Sequence, residues 1–352
     1  MDDPSAMPAR LAAFLAEAEP SATAVEVHSY EVMTGGYSRL LARAEVEWTV
    51  EGERRRRTFV LRGDPPPDRS LIHTDRAVEW SVLRVIDDRG VRTARPHYFD
   101  ATGQQLGTPA IVLEHSEATP FLTHVAGGGS VDGLEEQLAA TLASYHTIPL
   151  DVLPASLTRP ASWDDYLSAR IDEWREAADH SAEEIPMLRY VAAWLDAHRP
   201  PPAPLTLMHG DLQSANLLLS DDGEFVVLDW ELAAVGDPRE DMGYFKAVAQ
   251  AAPPDLLDGE RAERFCARYR ALTGLDERQV NPVTIAYFLI LGVVGTVRRL
   301  LEGGRDYARG DNTLLASVFN VGSVVFGGGV WLPATRQLEP VLAMMAAAEE
   351  GA

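Results

Sequence analysis

The 352-residue chain, 46% hydrophobic and 24% charged, is long enough for one large domain or two moderate ones around a real core. A formal net charge of −22, from 53 acidic against 31 basic residues, argues against a nucleic-acid or anionic-membrane surface, both of which need basic patches; it would suit a cationic ligand, although solubility alone also explains an acidic surface. The single cysteine, Cys266, excludes a disulfide framework or zinc cluster, and with no basic-then-apolar leader at the start a reduced, cytoplasmic setting is expected.

In chain order, Leu11, Phe14 and Leu15 recur at helical spacing and predict a short amphipathic helix over residues 5–18. A strand pattern follows over 24–32 and 40–50, with Thr34-Gly35-Gly36-Tyr37-Ser38 between. Such a glycine pair fits a plain hairpin turn, or a loop whose bare N–H groups wrap phosphate oxygens. Residues 58–62 read as a third strand whose alternation puts Val60 and Arg62 on one face. Arg54-Arg55-Arg56-Arg57 before it is a solvated charge run, and a solvated edge position for Arg62 is the alternative. Over residues 73–89, Val78, Val82, Val85 and Ile86 give an amphipathic helix that Gly90 closes. Glu79 falls at the margin of its buried stripe, where it either gains from a cation such as Arg62 or faces water.

After residues 96–99 comes the apolar run 110–113, ending in Glu114-His115. Residues 125–130 read as a loop, followed by helices over 134–146, 163–178 and 187–198, the last stopped by Pro200-Pro201-Pro202. Trp174 and Trp194 read as packing residues. A domain boundary is placed near residue 115. Further helices are expected over 261–273, 282–301 and 314–325; the apolar stretch 283–297 falls short of the roughly 20 residues that span a bilayer and reads as a buried core helix.

Chemistry concentrates in residues 205–243. His209, Asp211 and Asn216 stand in the order H-x-D-x-x-x-x-N, and the apolar runs 217–219 and 225–228 flank Ser220-Asp221-Asp222-Gly223 as a β-hairpin that delivers Asp229 back beside Asn216. Any one of these residues could be a turn former or a cap. As an ordered set they match phosphoryl transfer: a carboxylate to take the acceptor proton, and an amide and a second carboxylate, hard oxygen donors, to hold Mg²⁺.

On these residues the chain resembles the aminoglycoside phosphotransferase and choline kinase family, most of all its acyl-CoA-dehydrogenase-associated branch, where His209-Gly210-Asp211, Asn216, Asp229-Trp230-Glu231, Gly236-Asp237-Pro238 and Asp241 recur as they stand here. The resemblance covers nearly the whole chain. It implies an α+β, two-lobed, protein-kinase-like fold: a small antiparallel β lobe with one helix, residues 1–115, binding ATP, and a large, mainly helical lobe, residues 116–352, carrying the catalytic hairpin and the acceptor pocket. It further implies that Gly35, Gly36 and Ser38 form the phosphate loop and that Val60 lies against adenine. Arg62, where the family pattern has lysine, would pair with Glu79; Lys246, the only lysine in the chain, lies beyond the hairpin. Backbone groups of Leu113, Glu114 and His115 would meet the adenine edge. Asp211 would be the base, Asn216 and Asp229 the Mg²⁺ ligands, and His209 and Asp241 supports of the catalytic loop.

Gly210 stands where protein kinases carry the arginine that reads a phosphorylated loop, and the short stretch from Asp229 to Asp241 leaves no room for such a loop. A small-molecule hydroxyl acceptor is therefore expected, with no nucleic-acid or membrane partner. An aminoglycoside-like antibiotic suits the acidity, and a metabolic compound such as a hydroxyacyl-CoA suits the Asp229-Trp230-Glu231 motif. The alternative is a nucleotide-binding pseudokinase, in which the arginine marks lost catalysis. A metal-dependent hydrolase built on His209, Asp211 and Asp229 lacks the further ligands such sites carry. Oligomeric state and the choice of ATP over GTP are not legible.

Overall fold

The computed structural model describes residues 6–33, 40–64, 75–180, 186–249, 254–295, 297 and 310. Contacts divide the chain into two units. The first is Met1–Ala118 together with Val226–Leu232, and the second is Thr119–Phe225 with Ala233–Ala352.

In the first unit, helix α1 (Met7–Ala18) packs Leu11, Phe14 and Leu15 onto the inner residues of a sheet, among them Ala42, Ala44, Val46, Phe59, Leu61 and Val112. The sheet comprises β1 (Ala22–Val32), β2 (Leu40–Val50) and β3 (Glu53–Gly63), then, beyond helix α2 (Arg76–Asp88), β4 (Pro96–Asp100) and β5 (Ala110–Glu114). The order is β1-β2-β3-β5-β4, with every neighbouring pair antiparallel.

Strand β3 starts at Glu53, earlier than the apolar pattern indicates, because the arginine run is itself strand. Glu51 and Gly52 both take positive φ (52° and 83°), the two-residue hairpin geometry that matches strand twist. Across it Arg56 pairs with Glu45 at 2.6 Å and Arg54 with Glu47 at 3.5 Å on the exposed face, while Val46, Trp48 and Val50 of β2 turn to the core. Helix α2 also differs in phase. Its carboxylate cap is Asp75, which accepts from the Ala77 amide at 2.8 Å, and its buried face holds Glu79, Val82, Leu83 and Ile86, while Val78 and Val85 are half-buried. Counter-charges beneath Glu79 make this rotation favourable.

The second unit contains β6 (Thr119–Pro120), α3 (Phe121–Ala126), α4 (Leu134–His146), α5 (Trp163–His180), α6 (Pro186–Ala197), β7 (Thr206–Met208) and β8 (Leu217–Leu219). Next come β9 (Phe225–Val227), which continues into the first unit, then β10 (Ala234–Gly236), α7 (Arg239–Ala249), α8 (Gly259–Thr273) and α9 (Pro282–Gly292). The loop expected at 125–130 begins only at Gly127: the fully buried Phe121 ring, edge-on to Phe225 at 5.2 Å, anchors α3 through Ala126. The turn expected at 220–223 is present, with the Ser220 amide donating to the Glu224 carbonyl at 3.0 Å.

Trp174 and Trp194 do belong to the core, with Ile171, Val191, Leu195, Phe288 and Leu291. Helix α9 is apolar on every side, as a buried helix is. Asn281 caps it by accepting from Val283 and Thr284 (2.9 Å each) while Thr284 Oγ1 accepts from the Asn281 amide, and Pro282 occupies the first turn. Gly243 lets α7 approach α9, since a Cβ there would run into the Phe288 carbonyl and the Leu289 amide. Residues 298–301 and the helix expected over 314–325 lie outside the described residues, as do Gly35, Gly36 and Ser38. Among the described residues no helix is long and apolar enough to cross a membrane.

Candidate active site

The candidate residues fall into two groups, one in each unit. In the first unit, β3 alternates Phe59 and Leu61 into the α1 core and sets Val60 and Arg62 on the opposite face, with Leu113 and Ile111 of β5 as their cross-strand neighbours. Arg62 is not a solvated edge residue. It is 6% exposed, lies 3.3 Å from Glu79 through Nε, and donates from Nη2 to Asp229 Oδ1 and to Glu231 Oε2 (3.0 Å). Burial lowers the affinity of its guanidinium for the proton, but Glu79 and Asp229 outweigh that and raise its pKa above the ordinary arginine value.

Glu79, 2% exposed, is shared with a second arginine. Arg76, one turn earlier on α2, donates to Glu79 and to Asp64 (3.0 Å from Nε, 2.7 Å from Nη2). Two guanidiniums and four carboxylates thus form one network, in which removing either arginine takes from the buried Glu79 one of its two cations. Asp229 also has an unusual backbone: its φ of 69° lies in the left-handed region, which Asp and Asn tolerate better than other non-glycine residues.

At the end of β5 the expected base-edge groups are partly spent. The Glu114 amide donates to the Arg95 carbonyl (2.8 Å) and the His115 amide to the Thr58 carbonyl (3.0 Å). The Glu114 side chain, opposite Phe59 in register, turns to Arg57 and to His97 (3.1 Å).

In the second unit the loop after β7 is pinned from behind. Asp241 on α7, 1% exposed, accepts from the amides of His209 (2.7 Å) and Gly210 (2.9 Å), from Tyr145 Oη (3.0 Å) and from His146 Nε2 (3.2 Å). Burial pushes this carboxyl's pKa up, but the His146 hydrogen bond and charge, together with His209, overcome it and hold the group below the ordinary aspartate value. His209 is fully buried and accepts the Asp211 amide at Nδ1 (3.2 Å), which places the ring inside the loop as a brace.

Asp211 itself is half-exposed. Gln213 Nε2 donates to both of its oxygens (3.0 and 3.1 Å), and Asn216 Nδ2 donates to its carbonyl (2.9 Å) and its Oδ2 (3.1 Å). The amide nitrogen of Asn216 is thereby committed to Asp211. Asn216, in the second unit, and Asp229, in the first, each carry the hard-oxygen donor type that Mg²⁺ takes, a cation that completes its shell with water and phosphate. Among the described residues no cluster of three or more His, Cys, Asp or Glu side chains could enclose a metal.

Several supporting residues were not anticipated. Arg76 stands three residues from Glu79 on one helix face, a spacing that carried a signal, whereas Gln213 lies two residues from Asp211 in a loop, where no periodicity marks it. Tyr145 and His146 reach Asp241 from about 95 residues away, and nothing local announces that. Arg239 is equally hidden. Fully buried, it pairs with Asp237 through Nε (2.9 Å) and Nη2 (2.6 Å), stacks 4.7 Å over Phe288, and so fixes the Gly236-Asp237-Pro238 corner at the head of α7.

Among curated proteins the chain is similar to mouse acyl-CoA dehydrogenase family member 11, 25% identical over 272 residues (70% of this chain, 34% of that protein), and to mouse acyl-CoA dehydrogenase family member 10, 27% identical over 203 residues (53% and 18%). It spans about a third or less of the length of these two relatives. Among solved structures it resembles a macrolide 2′-phosphotransferase from Brachybacterium faecium (TM-score 0.61, 20% identity, 90% of this chain and 97% of that one) and the GDP complex of an aminoglycoside 2′-phosphotransferase (0.59, 16%, 93% and 99%). A choline/ethanolamine kinase family protein from Mesorhizobium loti gives 0.57 at 18% identity, over 91% and 92%. These likenesses give the fold, the α+β protein-kinase-like phosphotransferase fold. The family model for the phosphotransferase enzyme family matches residues 37–278, and the chain belongs to that family.

Proposed function

We propose that the chain is an ATP- and Mg²⁺-dependent kinase that transfers the γ-phosphate to a hydroxyl of a small molecule. The observation that carries this reading is Asp211: a partly exposed carboxylate oriented by Gln213 and Asn216, on a loop whose backbone Asp241 grips. Asp211 aligns the acceptor hydroxyl and takes its proton as the new O–P bond forms and the bridging bond to ADP breaks. Arg62 steadies the phosphates from β3, while Val60 and Leu113 offer an apolar surface to the base. Asn216 and Asp229 would hold Mg²⁺, which neutralises phosphate charge when bound. The remaining work is alignment. The first unit thus serves the nucleotide and the second the acceptor.

Similarity to the acyl-CoA dehydrogenase family members favours a hydroxyacyl thioester as acceptor, and the net charge of −22 favours a polycationic antibiotic. A screen for acceptor-dependent ADP formation across hydroxyacyl-CoAs, aminoglycosides, macrolides and choline-like amines tests both. Arg62 in the lysine position motivates the second reading, a pseudokinase. Nucleotide binding without phosphate transfer to any acceptor would favour that reading, and absence of nucleotide binding would refute both.

A further inference from the structure

Arginine in place of lysine changes what its surroundings must supply. A lysine ammonium presents three rotatable N–H groups at one point, whereas a buried guanidinium presents five in a fixed fork. Here Arg62 Nη2 is shared between Asp229 and Glu231, while Nε, 3.3 Å from Glu79, is buried without an aligned acceptor. When Asp229 turns its charge to a divalent cation, as the proposed function requires, Nη2 loses one of two acceptors and gains a like-charged neighbour. Glu231, two residues along the same turn, is already seated on that nitrogen at 3.0 Å. Arg76, fastened to Asp64 and Glu79, lies 3.9 Å from Glu231 Oε2 through Nη1.

We infer that Glu231 is the positioning residue for Arg62: it holds the guanidinium in line on β3 while Asp229 serves the metal. The Asp229-Trp230-Glu231 turn thus divides its two charges, one for the cation and one for the arginine. This rests on the reading of Asp229 as a metal ligand.

The test is a cycle of Glu231→Gln, Arg62→Met and the double variant in the full chain, followed by ATP affinity from fluorescence titration at saturating Mg²⁺, by the Mg²⁺ concentration giving half-maximal binding, and by kcat and KM. Glu231→Gln should weaken ATP binding about tenfold with the half-saturating Mg²⁺ nearly unmoved, and the same change in the Arg62→Met background should have an effect under about twofold, because the cation that Glu231 positions is gone. Glu231→Asp, which keeps the charge and folds if the glutamine variant does not, should fall between. If half-saturating Mg²⁺ rises while ATP affinity at saturating Mg²⁺ holds, Glu231 is itself a metal ligand and the inference fails. Equal losses in both backgrounds also overturn it. A wild-type chain that binds no nucleotide would instead overturn the proposed function.

Discussion

Asp241→Asn isolates the grip on the 209–211 loop with almost no change of shape. Oδ2 takes three donors, His209 N, Tyr145 Oη and His146 Nε2, and Oδ1 takes one, Gly210 N. An asparagine would therefore keep its oxygen on the crowded side and turn its NH₂ against the Gly210 amide. That orphaned donor costs about 1–3 kcal/mol, and the three remaining bonds lose charge assistance worth about 1 kcal/mol each. Relief of carboxylate desolvation offsets part of this, leaving a net loss of about 2–4 kcal/mol out of a stability of about 5–15. Because the carboxyl's pKa is held below the 3.8 of an unperturbed aspartate, its contribution is present above that pH and is lost as pH falls through the folded-state value. Guanidinium unfolding followed by tryptophan fluorescence should show the deficit at pH 7 and a smaller one near pH 3. Hydrogen exchange should speed up at the His209 and Gly210 amides. A deficit under about 1 kcal/mol, or one that does not shrink in acid, would refute the account of Asp241.

Asp211→Asn should leave nucleotide affinity nearly intact and lower kcat roughly 10²–10⁴-fold, measured by coupled ADP release; undiminished turnover removes it as the base. Asp229→Asn should raise the Mg²⁺ needed for nucleotide binding, and Asp229→Ala should in addition lower the melting temperature, since alanine tolerates positive φ less well; equal melting temperatures would contradict the backbone argument. Arg62→Ala should raise KM for ATP, and because Glu79 also holds Arg76, Glu79→Ala should be at least as damaging. The double variant should lose less than the sum, so additive losses in a double-mutant cycle would mean the two side chains act independently. Burial pushes the Cys266 thiol up to about 12, so a thiol reagent at pH 8 should modify it only in denaturant, and rapid labelling of the native chain would show that α8 opens.

Much of the site was legible where short-range order sufficed. The 217–227 hairpin, the Val60 and Arg62 face and the Trp174 and Trp194 packing follow from period and turn chemistry that tertiary contacts reinforce. Arg54 to Arg57 misled because β propensity there comes from cross-strand glutamates rather than apolar alternation. Helix α2 misled because a buried carboxylate breaks the hydrophobic pattern that would mark its inner face. The brackets on Asp241 and Arg62 were out of reach for a different reason. Their partners come from elements far away in the chain, and a Tyr-His pair or a Glu two residues past an Asp has no local signature of its eventual charge partner.

The return of Val226–Leu232 to the first unit has a consequence for the newly made chain. Arg62 is synthesised 167 residues before Asp229. At about 5–20 residues per second, roughly 8–30 s pass between the two. During that interval the nascent sheet holds a guanidinium destined for burial with Glu79 nearby but with neither carboxylate of the later turn. The amino-terminal unit therefore cannot reach its final electrostatics ahead of the rest. Its completion is timed by the first half of the second unit, so a chain stalled before residue 226 leaves the ribosome with an incomplete charge network rather than an independently finished domain.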